Sequence, residues 1–154
     1  MINDLKVHID GACRGNPGEA SIGVVIWQGG KKIKEIAKPI GEATNNIAEY
    51  SALIYALEEA LSLKAKKVLI LTDSELVFKQ VTGAYKVKNE TIKFLWDQVV
   101  LLKQNFQHFD IQHIPREQNV EADRLASRIL DKRQAEVVAS LFDNKEEESP
   151  SSEG

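Results

Sequence analysis

The sequence predicts an α/β domain over residues 1–142, built on a mixed five-stranded sheet in which three antiparallel strands are followed by two parallel strands, with flanking helices. Three observations predict this class. The chain opens with three strand-like apolar segments separated by turn residues. A long segment with helical spacing follows them. Beyond it, short apolar segments alternate with helical ones, which is typical of crossover connections between parallel strands.

The first three strands are expected to form a meander. Strand patterns cover residues 5–10, 20–27 and 31–40. Residues 14–18, Arg-Gly-Asn-Pro-Gly, favour a turn because glycine allows positive φ and proline fixes φ. Gly29-Gly30 indicates a hairpin between the second and third strands. Short connections of this kind join antiparallel neighbours.

Helices and strands alternate over the second half of the chain. A helix capped by Asn45 or Asn46 is predicted to run to about residue 63. The elements predicted after it are a strand over residues 68–72, helices over 74–82 and 89–104, a strand over 109–114 and a helix over 120–130. Residues 133–142 either continue this last helix or form one more helix. Residues 143–154 are acidic and serine-containing, and we expect a disordered tail there.

Four carboxylates stand at the ends of these elements. Asp10 and Asp73 each follow an apolar strand, whereas Glu49 and Asp123 fall in the expected first turns of helices. The right-handed crossover rule makes the strands before Asp10 and Asp73 parallel neighbours, so both acids are expected at the same edge of the sheet. Acids buried together cost free energy unless a positive partner is present, and their oxygens are suitable ligands for divalent cations.

Each acid taken alone also has an ordinary explanation. Asp73 could be a helix N-cap, and Asp123 could be a first-turn acid that interacts favourably with the helix dipole. Either could equally be a solvated surface group. The flanking residues of all four acids, taken together, are what favour a common site.

Composition limits the class of protein. The chain has 154 residues, of which 43% are hydrophobic and 28% charged, as in an ordinary globular domain. No apolar run approaches the roughly 20 residues of a membrane helix, and no signal-peptide core is recognisable. Cys13 is the single cysteine, which excludes an internal disulfide and favours a reducing, cytoplasmic location.

The net charge of −3 is unevenly distributed. Residues 143–154 hold five acids and one lysine, so the rest of the chain is close to neutral. A metal-neutralised acidic cluster would leave the remaining surface basic. That distribution is compatible with a partner that presents a phosphate backbone.

The sequence frames around the four acids resemble the type 1 ribonuclease H family. The matching motifs are Ile-Asp-Gly-Ala-Cys-Arg-Gly-Asn-Pro-Gly at residues 9–18, Thr-Asn-Asn-x-x-Glu at 44–49, Thr-Asp-Ser at 72–74 and Asn-x-x-x-Asp at 119–123. They follow the family's order and intervals over most of the chain. The resemblance implies a ribonuclease H-like fold and an endoribonuclease that hydrolyses the RNA strand of RNA–DNA hybrids, leaving 5′-phosphate and 3′-hydroxyl ends.

The resemblance also implies a two-metal-ion mechanism with Mg²⁺ or Mn²⁺. Asp10 and Asp123 would bind the ion that activates water, while Asp10, Glu49 and Asp73 would bind the ion near the leaving 3′ oxygen. His113 stands where the family carries a histidine that assists proton transfer or product release. The alternative for His113 is a histidine that ends a strand and hydrogen-bonds locally.

The substrate contacts implied by the resemblance lie along the minor groove of the hybrid. The expected contacts are Cys13, Gly15, Asn16 and Asn45 with the RNA strand, Thr44 with a DNA phosphate, Ser74 near the hybrid, and Tyr85, Lys86 and Lys88 with the DNA strand. Residues 83–89 replace the basic helical insertion of many bacterial members, which predicts weaker and more salt-sensitive binding. Tyr85 could equally pack at a helix junction.

Two other functions stay open from the sequence. A non-catalytic module that binds hybrids or RNA would use the same fold, although it would not need four clustered acids. Another phosphodiester enzyme of this fold would cut DNA or double-stranded RNA. The residues expected to contact the 2′-hydroxyls of the RNA strand argue against an enzyme that acts on DNA alone. They leave double-stranded RNA open as an additional substrate. We expect a monomer with no obligate protein partner and no membrane association.

Overall fold

The computed structural model describes residues 4–148, with side chains described up to Asp143. Its elements are β1 (Asp4–Gly15), β2 (Gly18–Gln28), β3 (Lys31–Ala43), α1 (Asn45–Ser62), β4 (Lys67–Thr72), α2 (Glu75–Val81), α3 (Glu90–Lys103), β5 (His108–His113), a 3₁₀ turn (Arg116–Gln118) and α4 (Val120–Glu148). The five strands form one sheet in the order β3-β2-β1-β4-β5. β1, β2 and β3 pair antiparallel, and β4 pairs parallel with β1 and β5. The predicted fold class is confirmed.

Strand β1 is longer than the sequence predicts. Its parallel pairing with β4 ends at Ile9 and Thr72, whereas its antiparallel pairing with β2 continues to Gly15 and Gly18. Asp10 therefore lies within β1 rather than after it. It occupies the first position at which β1 has lost its β4 neighbour, so this side of the strand is open to other elements.

Helix α1 begins at Asn45, one residue earlier than a cap at Asn45 allows and two earlier than a cap at Asn46 allows. Thr44 is the N-cap, and its hydroxyl accepts a hydrogen bond from the Ile47 amide at 3.2 Å. A threonine cap satisfies an amide that would otherwise lack a helical partner. Glu49 consequently lies in the second turn of α1, not the first, whereas Asp123 is in the first turn of α4 as predicted.

The main core lies between the sheet and α1. Tyr50, Leu53 and Leu57 of α1 are fully buried together with Val7 and Ile9 of β1. These residues recur at helical spacing in α1 and at alternate positions in β1, so each element presents one apolar face. The sequence pattern therefore fixes how α1 lies on the sheet.

Two glycines allow helices to approach the sheet closely on opposite faces. A Cβ at Gly11 would lie 2.3 Å from the carbonyl carbon of Ala48 in α1. A Cβ at Gly23 would lie 2.1 Å from the carbonyl oxygen of Ala122 in α4. Gly23 pairs with Asp10 across β1 and β2, so it shares the face of Asp10, while Gly11 faces the other side. Both helices thus reach the sheet beside Asp10.

Helix α4 is one continuous helix from Val120 to Glu148. Residues 133–142 continue the predicted helix rather than forming another. The disordered tail predicted from residue 143 does not begin there, because α4 continues to Glu148. Lys145 and the three glutamates that follow it are good helix formers. Residues 149–154 of the predicted tail lie outside the described residues. Within residues 4–148, no helix is both long and apolar enough to cross a membrane.

We predict that Gly23→Ala destabilises the protein and displaces the start of α4. The added methyl group would meet the backbone of Ala122, which has no flexible end that could move aside. Overpacking of this kind typically costs about 1–3 kcal/mol. Urea unfolding followed by circular dichroism measures the loss. Lys31→Ala, on the exposed start of β3, is the control, and equal stability of the two variants would contradict the close approach.

Candidate active site

Three carboxylates from three different elements meet at the open side of β1. Asp10 comes from β1, Glu49 from α1 and Asp73 from the residue after β4. Each offers an oxygen atom, and these oxygens all lie within 4.8 Å of one another. Asp10 and Asp73 are brought together by the parallel pairing of β1 and β4, as the crossover rule predicts.

The fourth acid lies in the same cavity. Asp123 helps to line a cavity of about 420 Å³ that also exposes Asp10, Glu49 and Asp73. It is outside the tight group of three, and its proximity contributes to the raised pKa of Asp10. The sequence prediction that all four acids share one site therefore agrees with the geometry.

Two of the acids, Asp10 and Glu49, disfavour carrying their charge in the absence of cations. Burial, followed by repulsion from Asp73, raises the pKa of Asp10 to about 8 from the ordinary 3.8. Burial and the charge of Asp10 raise the pKa of Glu49 well above its ordinary value. Among the described side chains, no ion pair involves any of the four acids.

The donor set fits divalent cations. Oε2 of Glu49 is buried and accepts no hydrogen bond from any described residue. A buried carboxylate oxygen without a donor is costly unless a cation binds it. Hard carboxylate oxygens are the ligands that Mg²⁺ and Mn²⁺ prefer, and the described part of the chain offers no thiolate or imidazole in this group of three.

Asn119 is a residue of the site that the sequence analysis did not assign. It is only 1% exposed, and its Nδ2 donates to the Ile9 carbonyl at 2.8 Å and to Oδ2 of Asp73 at 3.3 Å. It thereby ties the start of α4 to β1 and to the acid after β4. Its position four residues before Asp123, in the quoted motif, was the available signal.

Two arginines that the sequence analysis did not assign, Arg14 and Arg116, line the cavity together with Ser127. Arg14 forms an ion pair with Asp131 of α4, away from the acids. Arg116 lies in the 3₁₀ turn between β5 and α4. Arg14 lies in β1 within the quoted motif of residues 9–18, which was the available signal. Arg116 carried no local signal, because its position depends on how the turn folds over the sheet.

The predicted RNA-strand residues form a hydrogen-bonded group beside the acids. Sγ of Cys13 donates to Oδ1 of Asn45 at 2.9 Å and to the Gly15 carbonyl. Oδ1 of Asn16 accepts from the Asn45 amide at 3.0 Å. The β1–β2 hairpin is thereby joined to the first turn of α1. Burial raises the pKa of the Cys13 thiol, which does not favour a nucleophilic role.

His113 and Ser74 lie next to the cavity rather than in its lining. Nε2 of His113 is 3.3 Å from the Asp73 carbonyl, and its ring stacks on Phe78 with centroids 6.0 Å apart. Ser74 is the N-cap of α2, because its hydroxyl accepts from the Val77 amide at 3.2 Å. The structure thus gives both residues local structural contacts close to Asp73.

Two further cavities hold other predicted substrate residues. Thr44, Asn16 and Asn45 line a cavity of about 540 Å³ with Asn89 and Thr91 at the start of α3. Tyr85 and Lys86 line another of about 330 Å³, together with Lys93 and Trp96. Lys88 lines neither of them. The Lys79 ammonium lies 5.3 Å from the centre of the Tyr85 ring, so this ring already has a cationic neighbour.

Comparison with known proteins decides the family. A family model described as reverse transcriptase-like matches residues 8–129. The crystal structure of RNase H1 from Halobacterium salinarum superposes with a TM-score of 0.83 at 40% sequence identity, covering 84% of this chain and 99% of that chain. The chain belongs to the ribonuclease H family. The predicted resemblance to this enzyme family is confirmed.

Other relatives in the family extend the comparison. LC11-RNase H1, solved in complex with an RNA/DNA hybrid, has a TM-score of 0.79 and 40% identity, covering 84% of this chain and 99% of that chain. A bifunctional protein of Mycobacterium tuberculosis is 38% identical over an alignment of 154 positions that covers 97% of this chain and 42% of that protein. The present chain therefore spans less than half of that ribonuclease H family relative.

We predict that the metal-free protein loses stability as pH rises from about 4 to about 8. The folded state holds the Asp10 proton up to its pKa of about 8, whereas the unfolded chain releases this proton near pH 3.8. The free energy of unfolding therefore falls as the pH rises between these two values. Melting temperatures in chelator across this range measure the effect. Asp10→Asn should flatten the slope, and Asp110→Asn on β5 is the control. An unchanged slope in Asp10→Asn would contradict the raised pKa.

Proposed function

We propose that this chain is an endoribonuclease that hydrolyses the RNA strand of RNA–DNA hybrids, leaving 5′-phosphate and 3′-hydroxyl ends. The observation that carries the proposal is the meeting of Asp10, Glu49 and Asp73 within 4.8 Å, with Asp123 in the same cavity. The ribonuclease H relative solved with an RNA/DNA hybrid supports the choice of substrate.

Two divalent cations, Mg²⁺ or Mn²⁺, are the cofactors that fit this proposal. Asp10, Glu49 and Asp73 would hold one of them, and Asp10 together with Asp123 would hold the other. When bound, such ions polarise the scissile phosphate and make the attacking water more acidic. The unpaired oxygen of Glu49 and the raised pKa of Asp10 support their binding.

The other residues of the cavity position the acids and the phosphate. Asn119 holds Asp73 against β1 through its amide group. Arg14 and Arg116 place positive charge on the lining, where a phosphodiester group would approach. His113 would take or deliver a proton at Nε2 after leaving the Asp73 carbonyl, which it now contacts at 3.3 Å.

Substrate recognition is assigned to three neighbouring groups of residues. Cys13, Gly15, Asn16 and Asn45 would contact the RNA strand, where 2′-hydroxyls distinguish RNA from DNA. Thr44 would donate a hydrogen bond to a DNA phosphate at its cavity, and Ser74 would lie near the hybrid. Tyr85, Lys86 and Lys88 would contact the DNA strand. The free thiol of Cys13 suits a reducing compartment such as the cytoplasm.

Metal-dependent cleavage confined to the RNA of the hybrid is the expected result with labelled duplexes of one sequence. The set comprises RNA–DNA, RNA–RNA, DNA–DNA and DNA with one embedded ribonucleotide, each with Mg²⁺, Mn²⁺ or chelator. Asp10→Asn should abolish cleavage while keeping the fold, because it removes the acid shared by both proposed cation sites. Asp110→Asn is the matched control.

The outcomes separate the proposed functions. Added cleavage of double-stranded RNA keeps the mechanism and widens the substrate, because that duplex offers the same 2′-hydroxyls. Full turnover by Asp10→Asn would exclude the mechanism. Tight hybrid binding in a gel shift, without cleavage of any duplex, would indicate a binding module rather than an enzyme.

We predict that His113→Ala lowers the cleavage rate by about 100-fold without abolishing it, which is the low end of what a side chain that assists proton transfer contributes. Single-turnover rates with the hybrid across a range of pH measure the loss. His108→Ala, at the exposed start of β5, is the control. A wild-type rate in His113→Ala would remove the proton-transfer role.

A further inference from the structure

A separate cavity lies between α2, α3 and the segment that joins them. Its volume is about 330 Å³, and its lining includes Gln80 of α2, Tyr85 and Lys86 of the joining segment, and Lys93 and Trp96 of α3. We call this cavity the Gln80 pocket. Sites for small molecules measure roughly 300–1,000 Å³, so the pocket has room for one planar group of the size of a nucleobase. It shares no lining residue with the cavity of the acids.

The side-chain amide of Gln80 is buried and presents a hydrogen-bond donor to the pocket. Gln80 is 8% exposed, and its Oε1 accepts from the Tyr50 hydroxyl at 2.6 Å. This bond gives the buried hydroxyl its acceptor and fixes which end of the amide is Nε2. Among the described residues none accepts a hydrogen bond from Nε2, yet this atom is not one of the fully enclosed atoms that lack a partner. Nε2 therefore opens on the pocket that Gln80 lines.

Two aromatic rings stand beside this donor. Nε1 of Trp96 donates to the backbone carbonyl of Gln80 at 3.1 Å, which fixes the indole against α2. The Tyr85 side chain is 48% exposed and lines the same pocket. Aromatic rings stack on a nucleobase whatever its identity, because every base has a π-face. The pocket thus combines stacking surfaces with a buried donor, whereas a purely apolar ligand would leave that donor unpaired.

The charge of the pocket favours an anionic ligand. Lys86 and Lys93 line it, and none of the described lining residues is acidic. The Lys79 ammonium adds a further positive charge 5.3 Å from the centre of the Tyr85 ring. Lys93 pairs with Asp97 at 3.6 Å, but both side chains are about half exposed, and an ion pair in solvent is too weak to occupy the lysine. A phosphate joined to a stacked base would meet this positive charge.

We propose that the Gln80 pocket binds one unpaired nucleotide of a DNA strand that extends beyond the hybrid. The base stacks on the aromatic rings of the pocket and accepts a hydrogen bond from Nε2 of Gln80, while its phosphate lies beside Lys86 and Lys93. Bases inside a duplex are paired and stacked, so a single-stranded nucleotide is what offers both its face and its edge. The choice of the DNA strand rests on the proposed function, which assigns Tyr85 and Lys86 to that strand.

Fluorescence of Trp96 reports occupancy of the pocket directly. The chain has two tryptophans, so Trp27→Phe leaves Trp96 as the single reporter. The protein also carries Asp10→Asn, which is expected to abolish cleavage. It is titrated with a blunt hybrid and with the same hybrid carrying a single-stranded thymidine extension at the 5′ or the 3′ end of its DNA. A thymidine oligonucleotide and thymidine 5′-monophosphate are titrated separately.

We expect one of the extended hybrids to quench Trp96 and to bind about tenfold tighter than the blunt hybrid, which is within the range that one stacked base contributes. The double change Tyr50→Phe with Gln80→Met should cancel this gain. It removes both members of a buried hydrogen bond at nearly constant shape, so the fold is expected to remain. Tyr50→Phe alone is the matched control, because it keeps Nε2 and should keep most of the gain.

A second pair of variants serves if the double variant unfolds. Gln80→Glu keeps an acceptor for the Tyr50 hydroxyl and loses the donor, so it should also cancel the gain. Gln104→Glu, at the exposed end of α3, makes the same chemical change outside the pocket and should leave the gain unchanged.

Each outcome decides the proposal. A gain from the extension that the loss of Nε2 cancels supports it. Equal affinity of the blunt and extended hybrids overturns it, as does a gain that survives the Gln80 variants or comes without quenching of Trp96. Quenching by thymidine 5′-monophosphate, with no gain from the extension, overturns the assignment to a strand end and indicates a free nucleotide. Failure of the blunt hybrid to bind counts against the proposed function, and the thymidine oligonucleotide then decides the pocket through Trp96.

Discussion

The concentration of carboxyl groups around the buried Asp10 is the constraint on which the rest of the structure depends. Asp10 is 5% exposed, and burial together with Asp73 raises its pKa to about 8. In most proteins an arginine or lysine lies beside a buried acid, because an unpaired buried charge is costly. The described side chains contain no such ion pair at these acids, so the fold retains a costly arrangement that bound cations would relieve.

The fold is arranged to make that concentration possible. Strand β4 ends at Thr72 while β1 continues to Gly15, which opens one side of β1 at Asp10. Gly11 and Gly23 then let α1 and α4 approach β1 and β2 so closely that no Cβ fits between them. The close approach of these helices brings Glu49 and Asp123 to the open side. Packing and electrostatics are thus in opposition here, with apolar burial stabilising α1 against the repulsion of the acids.

The sequence predicted the five-stranded sheet, the parallel pairing of β1 with β4 and the meeting of the four acids, because these follow from local periodicity and the crossover rule. It did not predict that Asp10 lies inside a long strand, since strand length beyond the apolar run depends on pairing with β2. The cap at Thr44 was missed because Asn45 and Asn46 are equally good cap residues by type. Arg116 reaches the cavity only through the tertiary placement of the 3₁₀ turn, which no local pattern encodes.

The buried amide of Asn119 distinguishes a site for cations from a merely tolerated acidic cluster. Its Nδ2 gives Asp73 a hydrogen bond without adding positive charge, and the same group anchors to the Ile9 carbonyl. A lysine at this position would also satisfy Asp73, but it would neutralise the cluster and compete with cations for the same oxygens. A neutral donor orients the acid and leaves its charge available. The neighbouring arginines, Arg14 and Arg116, line the cavity without an ion pair to the acids, where they can attract a phosphate. This separation of anionic ligands from cationic lining favours an enzyme acting on a phosphodiester over a binding module, which would gain from neutralising every buried acid.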